Sequence, residues 1–122
     1  MIEALADLDM PVFLHICGDT SHILELMVAT DAPALEVDYQ HDIAYYKEKT
    51  GGRVCLQGNI EPSGVLLQGT VEAVRSACRQ AIEQGKPGSR FILSSGCEVP
   101  RDTPAENLRA MVEAAKEFGS YD

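Results

Sequence analysis

Four short runs of strand character, each followed by a stretch with helical periodicity, constrain this chain more than any other feature. VFLHIC at 12–17, ALEVDY at 34–39, RVCLQGN at 53–59 and RFILSS at 90–95 alternate with helix-type runs, and turn residues rather than linkers lie between them. Connections of this length favour parallel strands, because antiparallel neighbours need only a tight hairpin. A repeated βα unit leaves two α/β architectures, an open doubly wound sheet or half of a (β/α)8 barrel. Polar residues at alternate positions near the ends of three runs favour the barrel: His15 and Cys17, Glu36 and Asp38, Gln57 and Asn59. Converging polar groups at the carboxyl ends of strands are what a barrel mouth requires. The CGDTSH segment after the first run lacks the G-x-G-x-x-G spacing of a dinucleotide fold. The expectation is four parallel βα units over residues 1–122, a single half-barrel domain.

Helix boundaries follow from capping chemistry. Thr103-Pro104-Ala105-Glu106 places Thr103 at an N-cap and Glu106 at the capping-box position, ahead of an apolar stripe of Leu108, Met111, Val112, Ala115 and Phe118. Thr70 opens a second helix with the stripe Val71, Val74, Cys78, Ala81 and Ile82, closed by Gly85 and Pro87. Shorter helices are expected over 21–30 and 42–50, the second half-solvated around Tyr45 and Tyr46, and a helical turn over 2–8. Asp19 or Thr20 reads as a helix cap.

A formal net charge of −9 with scattered Lys and Arg argues against nucleic acid or an anionic membrane as partner. No apolar run reaches the length needed to cross a bilayer, and Met1-Ile2-Glu3-Ala4 lacks the basic start of a secretory signal, so a cytoplasmic location is expected. In a reducing compartment the four widely spaced cysteines read as thiols or ligands before disulfides.

In VFLHICG the strand period puts Phe13, His15 and Cys17 on one face and Val12, Leu14 and Ile16 on the other. Gly18 ends the first run much as Gly96, ahead of Cys97, ends the fourth. Parallel strands would bring His15, Cys17 and Cys97 to one rim, three N/S donors with room for a fourth ligand, the arrangement of a catalytic zinc. Ordinary buried thiols are the competing reading, and they suit Cys78, on a helix stripe, and Cys55, too early in its strand to reach the rim. Glu36 and Asp38 could supply a fourth ligand or hold His15 through its second ring nitrogen, and Asp38, nearer the rim, is preferred. Gln57 and Asn59 read as rim hydrogen-bonders, Glu98 as turned away, and His22 and His41 as solvent-facing.

HICGDT, LEVDY, VCLQGNIEP with LLQGT, and FILSSGCEVPRDTPAENLRAMVEAAKEFG resemble the C-terminal half of the uroporphyrinogen decarboxylase superfamily. Within it they are most similar to the zinc-dependent corrinoid methyltransferases, which move a methyl group from methylcobamide to a thiol such as coenzyme M. The resemblance implies that His15, Cys17 and Cys97 hold zinc and that the methyl donor is a methylcobamide carried on a partner corrinoid protein. It also implies a thiol small molecule as acceptor, since a coordinated thiol loses its proton near neutral pH and the thiolate is the nucleophile. Metal-independent decarboxylation of a tetrapyrrole, or a non-catalytic assembly module, are the alternatives. Four units cannot close an eight-stranded barrel, so an N-terminal half-barrel or a homodimer partner is expected to cover the open edges.

Overall fold

A computed structural model describes Ile2, Leu5 and residues 10–121. The helical turn expected over 2–8 therefore lies almost wholly outside the described residues. Four strands, β1 (Phe13–His15), β2 (Ala34–Glu36), β3 (Cys55–Ile60) and β4 (Phe91–Ser95), pair in parallel in the order β1-β2-β3-β4. Helices α1 (Leu24–Val28), α2 (Ile43–Thr50), α3 (Val71–Gly85) and α4 (Ala105–Phe118) follow them in turn. This is half of a (β/α)8 barrel, and among the described residues both outer strands are unpaired on one edge.

The helices cover one face of the sheet. Leu35, Leu56 and Phe91 from the strands and Val37 just past β2 pack with Ile43, Tyr46, Val74, Cys78, Ile82 and Ala114 from the helices into a single buried cluster. The alternate strand positions face the concave side. There Phe13 and Ile92 stay 44% and 42% exposed, which marks a barrel interior that these four strands do not close.

Strand pairing is shorter than the apolar runs. β1 ends at His15, so Cys17 leaves the ladder and sits in the following turn, where Gly18 takes a φ of +85° that a residue with a Cβ adopts only under strain. Asp38 likewise lies past the end of β2. The helix caps divide. Thr70 caps α3 by accepting from the Ala73 N–H at 3.1 Å, and Asp42 caps α2 by accepting from Tyr45 at 2.9 Å. Thr103 does not cap α4: Pro104 keeps an extended ψ of 133° and itself occupies the N-cap, and the buried Thr103 hydroxyl has no partner among the described residues. At the first turn, Asp19 accepts from the Ser21 N–H, whereas the Thr20 side chain caps nothing.

Three apolar expectations are corrected. The buried face of α4 is Asn107, Ala110 and Ala114, while Leu108 and Val112 face outward. Small residues let α4 lie close to α3, while Met111 and Phe118 of the expected stripe pack part-buried against the core. Val71, at the first turn of α3, is exposed rather than part of the stripe. Tyr46 is fully buried in the core, so α2 is less solvated than its charges suggest. Between β3 and α3, a π-helical segment (Pro62–Leu67) with Glu61–Leu66 and Ser63–Gln68 backbone bonds buries Leu66. Asn107 secures α4 to it, donating to the carbonyls of Leu66 and Gly69 at 2.8 Å each.

Candidate metal centre

His15, Cys17 and Cys97 meet at the carboxyl rim of the sheet. His15 Nε2 lies 3.0 Å from Cys17 Sγ, and Cys17 Sγ lies 3.3 Å from Cys97 Sγ. The three donor atoms all fall within 4.8 Å of one another, although 80 residues separate the two cysteines.

Two local devices deliver the thiols. Asp38 is almost wholly buried, and its carboxylate accepts the Gly18 N–H at 2.5 Å and the Tyr39 N–H at 2.7 Å, which fixes the turn carrying Cys17. Across the rim, the Gly96 N–H donates to the Ile60 carbonyl at 2.8 Å, extending the line of β4 into the turn that carries Cys97. A Cβ on Gly96 would lie 2.9 Å from the Tyr39 backbone nitrogen, so only glycine lets this turn pass so near the end of β2. Asn59 ties the remaining loop, donating to the carbonyls of Asp38 and His41 at 3.1 and 2.6 Å.

Glu36, rather than Asp38, faces the histidine. Its Oε2 is 3.2 Å from His15 Nδ1, and its Oε1 accepts from Gln57 Nε2 at 3.0 Å. Asp38 is committed to backbone N–H groups, which places it under the site as an anchor. A cavity of about 460 Å³ opens beside the three donors, and Glu98 borders it together with Ser94 and Ser95, contrary to the expectation from strand alternation. His41 is half-buried, stacked on Tyr45 at 4.1 Å and paired with Asp19 at 3.3 Å, and His22 is exposed. Cys78 is sealed in the core, where burial pushes its thiol up to about 11, and burial also raises the thiol of half-buried Cys55.

Electrostatics at the rim depend on what the thiols face. The Cys17 thiol is held above its ordinary range, first by its hydrogen bond with Cys97, then by desolvation and by the negative fields of Cys97, Asp38 and Glu98. A divalent cation would supply the opposite field, and thiol ligation is linked to proton release. The donor set, one imidazole nitrogen and two sulfurs, is a zinc set. Bond lengths of about 2.0–2.1 Å to nitrogen and about 2.3 Å to sulfur put tetrahedral donors roughly 3.5–3.8 Å apart. The His15–Cys17 and Cys17–Cys97 spacings of 3.0 and 3.3 Å need to open by about half an ångström, within reach of side-chain torsions.

The uroporphyrinogen decarboxylase (URO-D) family profile matches residues 1–118. The chain belongs to the uroporphyrinogen decarboxylase family. Among its relatives, the methylcobamide:CoM methyltransferase MtbA of Methanosarcina mazei is 37% identical over 120 residues, covering 97% of this chain and 33% of the relative. A uroporphyrinogen decarboxylase of Trichodesmium erythraeum is 38% identical over 111 residues, 90% of this chain and 30% of its own length. Among solved structures, a methyltransferase from Methanosarcina mazei superposes with a TM-score of 0.86 at 30% identity, over 97% of this chain and 34% of that one. This uroporphyrinogen decarboxylase family chain thus spans about a third of the length of the relatives it matches. Among its described residues, no helix is long and apolar enough to cross a membrane.

Proposed function

We propose that this chain carries the zinc-binding, thiol-activating part of a methyltransferase that moves a methyl group from a methylcobamide to a thiol. The observation that supports the reading is the gathering of His15 Nε2, Cys17 Sγ and Cys97 Sγ within 4.8 Å at the rim of the sheet. Three protein donors leave a tetrahedral ion one position for an exogenous ligand, as in catalytic rather than structural zinc sites. Zinc bound there would lower the pKa of an accepting thiol, so that the thiolate forms near neutral pH.

The chain's own groups divide the remaining work. His15, Cys17 and Cys97 hold the ion, Asp38 and Gly96 set the two turns, and Ser94 and Ser95 offer hydroxyl groups to the polar part of a thiol in the cavity. The methyl donor is a methylcobamide on a separate corrinoid protein, whose cobalt carries the redox chemistry while the barrel rim orients the acceptor. Four further βα units, from a longer chain or a second copy, close the barrel over the exposed Phe13 and Ile92.

The test is methyl transfer from methylcobalamin to a thiol, followed by the loss of methylcobalamin absorbance, with the chain in its closed barrel. Activity that needs zinc and falls to background in Cys97→Ala supports the reading. Carbon dioxide release from a porphyrinogen, indifferent to chelators, would instead favour the decarboxylase reading suggested by the second group of relatives.

A further inference from the structure

His15, Glu36 and Gln57 stand side by side on three adjacent strands, since the register pairs His15 with Glu36 and Glu36 with Gln57. Side chains of one such row project from the same face of a parallel sheet, so the three form a line across the concave surface. Polar contacts run along it. Gln57 Nε2–H donates to Glu36 Oε1 at 3.0 Å, and Glu36 Oε2 faces His15 Nδ1 at 3.2 Å. The next member of the row is Ile92, which has no donor or acceptor, so the chain of polar contacts ends at Gln57.

A carboxylate only accepts, so at 3.2 Å it favours the hydrogen on the ring nitrogen that faces it. In the neutral ring Nε2 is then left with its lone pair, and Nε2 is the nitrogen 3.0 Å from Cys17 Sγ. A neutral imidazole free in water favours the opposite tautomer, with hydrogen on Nε2, which would point a donor at the cysteines. The His15 and Glu36 side chains are each about a third exposed (32% and 33%), so water competes for their contact and the carboxylate needs a second hold. Gln57 provides it from the far side, as a neutral donor that does not repel Glu36.

We propose that Glu36 and Gln57 are a positioning pair: Gln57 fixes Glu36 across the row, and Glu36 fixes His15 as the Nδ1–H tautomer with its Nε2 lone pair facing Cys17 and Cys97. The purpose of the pair rests on the zinc reading above, but the tautomer belongs to the ion-free protein and is measured there. Neither side chain touches a reacting atom.

The test is a two-bond 1H–15N correlation spectrum of histidine-labelled, ion-free protein in mildly alkaline buffer, paired with zinc competition against a chromogenic chelator. Wild type is expected to show a protonated-type shift at His15 Nδ1 and an unprotonated-type shift at Nε2. Glu36→Ala is expected to move His15 towards the Nε2–H form and to raise the zinc dissociation constant about 10–100-fold, the range seen when such outer partners are removed. Gln57→Leu should fall between the two. Glu36→Gln, whose amide oxygen still accepts from Nδ1, should keep the wild-type tautomer and guards against a variant that simply misfolds. An Nε2–H tautomer in wild type overturns the inference. So do Glu36→Ala and Gln57→Leu variants with wild-type tautomer and zinc affinity. The expected tautomer pattern across the variants without any zinc binding supports the pair and overturns the zinc reading instead.

Discussion

The Asp38 carboxylate accepts the Gly18 N–H at 2.5 Å, so a side chain just past β2 sets the turn that presents Cys17 from the end of β1. The bond reaches across 20 residues of sequence and joins neighbouring strands at the rim. Because the same carboxylate also holds the Tyr39 N–H, neither of its oxygens is idle.

Asp38→Asn turns one acceptor into a donor that faces a backbone N–H. Hydrogen bonds to a buried charged group contribute about 1.5–3 kcal/mol each, so urea denaturation should show a loss of about that size. Zinc affinity should fall as well, because Cys17 is no longer held in place.

Gly96→Ala places a Cβ 2.9 Å from the Tyr39 backbone nitrogen, a contact that side-chain adjustment cannot relieve. The turn must move, at an expected cost of about 1–3 kcal/mol for overpacking. Thermal melts should report that loss, and a bifunctional thiol reagent that bridges Cys17 and Cys97 in wild type should do so less efficiently in the variant.

Asn107→Leu separates folding from the rim. The buried Leu66 carbonyl and the part-buried Gly69 carbonyl lose the Asn107 donor, and an unpaired buried polar group costs about 1–3 kcal/mol. Denaturation should show that cost while zinc stoichiometry of the folded protein stays at the wild-type value.

Thiol labelling should rank the four cysteines. Cys78, fully buried with its thiol raised to about 11, carries roughly a thousandth of its thiolate form at pH 8 and should resist iodoacetamide until the protein unfolds. Raising the pH increases its thiolate fraction but not its access, so labelling of Cys78 should track unfolding rather than pH. Exposed Cys17 should label in the native state and be protected by added zinc.

Periodicity and turn chemistry made the βα order and the α3 cap at Thr70 readable, because both depend on neighbours along the chain. The α4 face was not readable in that way: Ala110 and Ala114 carry little hydropathy, and the burial of Asn107 depends on the Leu66 and Gly69 carbonyls about 40 residues away. The choice between Glu36 and Asp38 turned on register. Nearness to the rim favours Asp38, but pairing His15 with Glu36 puts Glu36 beside the ring. Glu98 shows the same limit, since alternation counted from β4 does not hold in the turn after Gly96.

X-ray absorption at the zinc edge, on untagged protein loaded with one equivalent of zinc, addresses the central claim most directly. The account predicts two sulfur neighbours at about 2.3 Å and one imidazole nitrogen at about 2.0–2.1 Å, one sulfur fewer in Cys97→Ala, and a third sulfur when a small thiol is added. A shell of nitrogen and oxygen alone, unchanged by Cys97→Ala, would contradict it.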